Sequence, residues 1–320
     1  MVEAELVPPR HDERLQQALE ALSASSSPTD RADRLQDLRQ VYERLGFWRD
    51  ALETEQAWLQ QQQHSNEAEP DSWVRQGRLH LRLGERLKAQ RLYDQALERY
   101  EDLLGPGFHP RKGLARIAKA GLAWSRGDGG ATLEALHEAE QHFVQDEGLH
   151  PDLVVCWQHQ GKVHREMENF EAALERYQAC RELVPETQGL RLDIADMHAA
   201  LGQIDEALEM YQALLEEDPE MEGHLLHTIG KLHAQKGEHE VAKTELQQAI
   251  DIKRKVLGSS HPEVGTSLSA LGAVHAVTNE PRLALDCFQE ALLIARMHAD
   301  DEGDSTVMMA LRNIALVRGD

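Results

Sequence analysis

The sequence predicts an all-α solenoid of antiparallel helix pairs, and three observations carry that reading. Apolar residues recur at three- and four-residue steps, so each helix has one apolar stripe. One two-helix pattern returns along most of the 320 residues. Small residues recur where the two helices of a pair would meet. The best-defined copy runs from Trp157 to Pro185. Its first helix carries Trp157, Gln160, Gly161 and His164, a turn follows at Met167–Asn169, and its second helix carries Phe170, Ala173, Tyr177 and Cys180. One such pair cannot bury both of its faces, so it needs neighbours.

From the N-terminus, Met1–Arg10 reads as a loose leader and His11–Leu22 as a short helix with Leu15, Leu19 and Leu22 on one face. Residues 1–30 are therefore expected to be partly disordered. Ser23–Pro28 is a Ser-rich break, after which Thr29 or Asp30 is expected to cap the next helix. The remainder, 31–320, is expected to form about seven helix pairs and a terminal half repeat. Repeat 1 is degenerate, with Leu35, Leu38, Tyr42, Gly46, Trp48, Ala51 and Trp58. Repeat 2 has Trp73, Gly77, His80, Gly84, Ala89, Tyr93 and Ala96. Repeat 3 is weak, and Asp128–Gly130 is expected to loosen its turn. Repeats 4 to 7 centre on Gly161, Ala195, Gly230 and Gly272, and Thr306–Val317 reads as one further helix.

The arrangement W-x2-[LQ]-G-x2-[YH]…A-x3-[YF]-x2-A…P resembles the tetratricopeptide repeat family over roughly residues 32–318. The resemblance implies a right-handed superhelical solenoid with a concave groove lined by the first helix of each pair. Gly161 to Ala195 spans 34 residues and Gly230 to Gly272 spans 42. The longer copies turn through His-Pro steps at His109-Pro110, His150-Pro151 and His261-Pro262, with Gly ending one helix and Pro starting the next. Lys253–Val264 with Ser267–Gly272 is similar to the 42-residue repeats of kinesin light chains. No long heptad segment stands upstream, as a light chain would need to join its heavy chain.

The formal net charge of −22 opposes nucleic acid and anionic membrane as main partners. Three cysteines without a signal-peptide pattern suit a reducing, cytoplasmic setting. No apolar run is long enough to span a membrane. Within this acidic protein, the register of the resemblance places Arg78, Lys162, Arg165 and Lys231 on the groove face, with Val74, Leu81 and Leu192 available to an apolar anchor. That row fits an acidic or amphipathic peptide segment of a protein partner. Solvated cations paired with nearby carboxylates are the alternative. The paired Asn and Lys pattern of chaperone-tail clamps is not visible.

His80, His164, His198, His233 and His275 occupy one repeat position, too far apart to share a metal. Each ring is expected to pack between helices with a nitrogen bonded nearby. If the rings are buried neutral, stability falls with pH. His137 and His142 are five apart and share no helical face, His224 and His227 have no evident third ligand, and Gly127–Gly130 lacks the Lys-Ser/Thr of a phosphate loop. No catalytic, cofactor or metal residue is predicted, and the protein reads as a non-enzyme. The function expected is a scaffold or adaptor binding a partner peptide or helix in its groove. The alternative is a structural subunit of a larger complex, such as one linked to kinesin and microtubules, that assembles through its outer face or ends.

Overall fold

A computed structural model describes residues 13–62, 68–145, 148–149, 151–185, 188–299 and 304–319. Sixteen α-helices account for nearly all of them, and the protein divides into two compact units, Met1–Glu168 and Asn169–Asp320. The first unit holds α1 (Glu13–Ser23), α2 (Pro28–Leu45), α3 (Trp48–Gln61), α4 (Ala68–Arg82), α5 (Arg86–Leu104), α6 (Pro110–Trp124), α7 (Gly129–Gln141) and α8 (Leu153–Glu166). A two-residue antiparallel pairing, Val144–Gln145 with Gly148–Leu149, lies between α7 and α8. The second unit holds α9 (Phe170–Leu183), α10 (Gln188–Ala200), α11 (Ile204–Glu217), α12 (Glu222–Lys236), α13 (His239–Leu257), α14 (Pro262–Val277), α15 (Pro281–His298) and α16 (Ser305–Arg318). Among the described residues no helix is long and apolar enough to cross a membrane.

Within each unit, sequence-adjacent helices pack on each other through the predicted stripes. Tyr93, Ala89 and Ala96 of α5 are fully buried against α4 and α6, and Leu246, Ala242 and Ile250 of α13 are buried with α14. The repeat glycines are small for a steric reason. A Cβ on Gly77 would stand 2.4 Å from Cε1 of Tyr93, and one on Gly230 would stand 2.8 Å from Cγ of Leu246. The hairpin turns need a left-handed residue, supplied by Gly84 at φ 78° and Gly237 at φ 86°. Asn279 meets the same demand at φ 60° without being glycine.

Two local expectations change, and two further details add to the reading. The cap of α2 is Ser27, whose Oγ accepts from the Asp30 amide at 3.1 Å, because Pro28 takes the first helical position. The Gly-rich turn before α7 is not loosened, since the Asp128 carboxylate accepts from the Ala131 amide at 2.9 Å and caps the helix. Repeat 1 is an ordinary hairpin, with Ala32, Leu35, Leu38, Ala51 and Trp58 buried. In the His-Pro steps the histidine is itself the cap: Nδ1 of His109 accepts from the Arg111 amide and Nδ1 of His261 from the Glu263 amide. The leader expected at Met1–Arg10 and the step at His150 fall outside the described residues.

Candidate binding cleft

The first unit contains a cleft of about 1170 Å³ built by one face each of α2, α4, α6 and α8. Its apolar floor includes Leu81, Leu114, Ile117 and Val155, and Trp48 and Trp124 stand in its walls. Its polar lining is strongly one-sided. Arg39 and Arg44 come from α2, Arg75, Arg78 and Arg82 from α4, Arg86 from α5, and Lys162 and Arg165 from α8. Among the described residues, the acids that line it are Glu43 and Glu166 alone. A protein of net charge −22 has gathered eight cations around one concavity.

Two of these cations are fixed by a buried carboxylate. Glu55 of α3 is fully buried and accepts from Ser72 Oγ at 2.6 Å and Arg75 Nε at 2.9 Å, with Arg39 Nε at 3.1 Å. The Arg75 guanidinium also lies 4.8 Å from the centroid of the Trp58 ring, and that of Arg82 lies 5.5 Å from Trp48. Arg165 is 3.8 Å from Glu166. Elsewhere on this unit cations of both kinds occur: among the described residues Arg31, Arg49, Arg91 and Arg126 make no ion pair, whereas others are paired. Lys119 pairs with Asp94 at 2.7 Å and Lys88 with Glu85 at 3.1 Å. Among the described residues, Arg44, Arg78, Arg82, Arg86 and Lys162 make no ion pair. Their charge faces the cleft uncompensated, so an anion entering it gains attraction without displacing an internal partner.

Of the residues selected from sequence, Arg78, Lys162, Arg165 and Leu81 line this cleft together. Lys231 is exposed on α12 and Leu192 half-buried on α10 against the α10–α12 core, both in the second unit. Val74 is not available to a partner. It is 6% exposed and packs in the core with Tyr93 and Tyr100. The face of α4 that meets the cleft runs through Arg75, Arg78, Leu81 and Arg82, so Arg78 and Leu81 lie where the register puts them and Arg75 takes the place of Val74. On α8 it runs through Val155, His159, Lys162 and Glu166. Arg39 and Arg44 are cleft residues that the repeat pattern does not single out, because repeat 1 matches it weakly, and Trp48, read from sequence as a repeat 1 residue, also lines the cleft. The seven-residue spacing of Arg75 and Arg82 is the signal in the sequence that points to a cationic helix face.

Burial lowers the pKa of His159, and Lys162 and Arg78 lower it further. Burial pushes the Tyr93 hydroxyl up to about 12, partly opposed by Arg78. Arg78 thus acts on both rings at the cleft wall.

Four of the five histidines at the shared repeat position, His80, His198, His233 and His275, reach across a turn. Nδ1 of His80 meets Glu85 at 2.5 Å, Nδ1 of His233 meets Glu238 at 2.6 Å, Nδ1 of His275 meets Glu280 at 2.6 Å, and His198 meets Gln203. The partner lies five residues on, so each contact staples a hairpin. Burial, then Arg116 and Lys112, hold His142 down to about 4, and burial, then Lys253 and Lys231, do the same for His227. His227 is buried with Ser267 Oγ 3.1 Å from Nδ1, whereas His224 is exposed, so the pair does not converge on one ligand.

Three family models described as tetratricopeptide repeat match residues 77–111, 160–222 and 222–297, between them more than half of the sequence. No curated protein sequence matches it significantly. Among solved structures, the apo form of RapI is similar at TM-score 0.66 and 15% identity, covering 90% of this chain and 86% of that one. The apo form of the quorum sensor NprR from B. thuringiensis is similar at TM-score 0.63 and 15% identity, covering 95% and 80%. A tetratricopeptide repeat protein from Parabacteroides merdae is similar at TM-score 0.52 and 17% identity, covering 90% and 98%.

Proposed function

This protein belongs to the tetratricopeptide repeat family of interaction scaffolds, and from that premise we propose that its first unit binds an acidic segment of a protein partner in the cleft between α2, α4, α6 and α8. The observation that carries the proposal is the set of five cleft cations that make no ion pair among the described residues, in a protein of net charge −22. The apolar floor at Leu81, Leu114 and Ile117 suits one apolar side group of that segment. A long nucleic acid is less suited to the protein. Its phosphates would run past the cleft over an acidic surface, whereas a short acidic segment ends with the cations.

The test uses a labelled peptide of Glu and Asp with one central Leu, followed by fluorescence anisotropy. Arg78→Glu with Lys162→Glu is expected to abolish binding, while Lys231→Glu in the second unit leaves it unchanged. Equal binding by both variants contradicts the proposal. So does a labelled single-stranded oligonucleotide that binds where the peptide does not.

A second reading, assembly through an exposed apolar helix face, draws on α16. Met308, Met309, Leu311 and Leu316 are exposed there while Val307, Ala310 and Ile314 are buried on its other face, Ile314 packing with Ala284 and Phe288 of α15. Replacing Met309 and Leu316 with Lys would dissociate an oligomer that uses this face. A sedimentation profile unchanged by the substitutions would remove that reading.

A further inference from the structure

The hydroxyl of Tyr93 is buried and has no hydrogen-bond partner among the described residues. Its ring is fully buried from solvent, and the residue borders the cleft. A buried hydroxyl left unpaired is costly, so the reason for it matters. The second unit offers a comparison. The equivalent Tyr211 is also buried, and its hydroxyl donates to the carboxylate of Asp196, fifteen residues earlier on the facing helix. Fifteen residues before Tyr93 stands Arg78. The position that holds an acceptor in one hairpin holds a permanently charged donor in the other. Arg78 itself makes no ion pair among the described residues, and its charge acts on the Tyr93 hydroxyl.

From this juxtaposition we propose that Tyr93 and Arg78 form the seat for one carboxylate of the partner. The incoming carboxylate takes the part that Asp196 plays for Tyr211. One oxygen accepts from the Tyr93 hydroxyl, and the group as a whole is neutralised by Arg78. Lys162, whose charge also reaches His159 beside Arg78, adds to the field. No covalent step is involved. The inference rests on the reading of the cleft as an acidic-segment site and names the point where that segment is anchored. The carboxylate has two sources, an Asp or Glu residue and the C-terminus of a polypeptide, and both present the same acceptor.

Tyr93→Phe removes only the hydroxyl. It is expected to weaken the labelled Glu/Asp peptide about tenfold, the size of a lost hydrogen bond to a charged group. It is expected to leave the melting temperature unchanged or higher, because no internal hydrogen bond is lost. Arg78→Asp is expected to rebuild the Asp196–Tyr211 arrangement. The melting temperature then rises by about 2–4 °C and peptide binding is lost. This second variant reads the seat without any ligand. Amidating the C-terminus of the peptide separates the two sources, since only a terminal carboxylate is sensitive to it.

Failure takes distinguishable forms. If the wild type binds no acidic peptide, the cleft reading falls and the seat with it. If the wild type binds and Arg78→Glu weakens it, but Tyr93→Phe does not, the cleft stands and the seat is refuted. A melting temperature lowered by both Tyr93→Phe and Arg78→Asp would show that the hydroxyl already has a partner, which also refutes it.

Discussion

Replacing Glu55 should be among the most damaging single changes in the first unit. The carboxylate is fully buried and ties three helices together through Arg39, Ser72 and Arg75. Removing one partner of a buried ionic group costs about 3–5 kcal/mol, because the remaining charges stay buried without compensation. Arg39 retains Glu43, and the Arg75 side chain is 24% exposed and stacked near Trp58, so part of that cost is recovered. About 3 kcal/mol is the working figure for Glu55→Leu, a fall in melting temperature of about 6–12 °C for a body of this size. Circular dichroism melts and urea titrations of the full-length protein would measure it, with amide exchange on α2 to α4 locating the loss. Replacing Glu55, Arg39 and Arg75 together with Leu should recover most of the stability, since no buried charge is then left alone. A Glu55→Leu variant within about 1 kcal/mol of wild type would refute the reasoning, and so would a triple variant less stable than the single one.

Other expectations follow from the same structure. Gly77→Ala should destabilise by about 2 kcal/mol in urea titration, because the new methyl would stand 2.4 Å from Tyr93 and overpack the hairpin. Asn279→Gly should stabilise by about 1 kcal/mol in the same assay by relieving φ 60°. Stability should also fall with acid. His142 and His227 have folded pKa values of about 4 against an ordinary value of 6.5, so the unfolded state binds more protons between those limits. Their contribution is complete above the ordinary value and is lost as pH falls towards the folded one, about 3 kcal/mol each. Melts of His142→Gln and His227→Gln across that acid range should each show a shallower decline than wild type.

Much of this fold is legible in the sequence because its period carries the physics. Tyr93, Leu246 and Phe288 sit at one repeat position, each opposite a glycine on which a Cβ would stand within 2.8 Å of them, while Ala195 takes the glycine's place opposite Tyr211. The site is harder to read. Periodicity identifies the groove face to within one residue, and one residue on a helix is a turn of about 100°, enough to move Val74 from the cleft into the core. The buried network around Glu55 is hidden for another reason. Its members lie on three helices, and a carboxylate in an acidic sequence carries no sign of being the buried one. Net charge misleads in the same way, since a sum of −22 conceals the local cluster of Arg39, Arg44, Arg78 and Arg82. The histidine position is legible as a repeat feature. Its partner five residues on becomes visible only when the turn brings Glu85, Glu238 and Glu280 back to the rings.

The central claim is that a partner's acidic segment lies in the cleft of the first unit. The most direct measurement is photo-crosslinking from the Glu/Asp peptide, with a benzophenone beside its central Leu, followed by peptide mapping. Crosslinks confined to α2, α4, α6 and α8, and suppressed by Arg78→Glu with Lys162→Glu, are the predicted result. Crosslinks that fall on the second unit or on outward-facing helices, and persist in that variant, would contradict it.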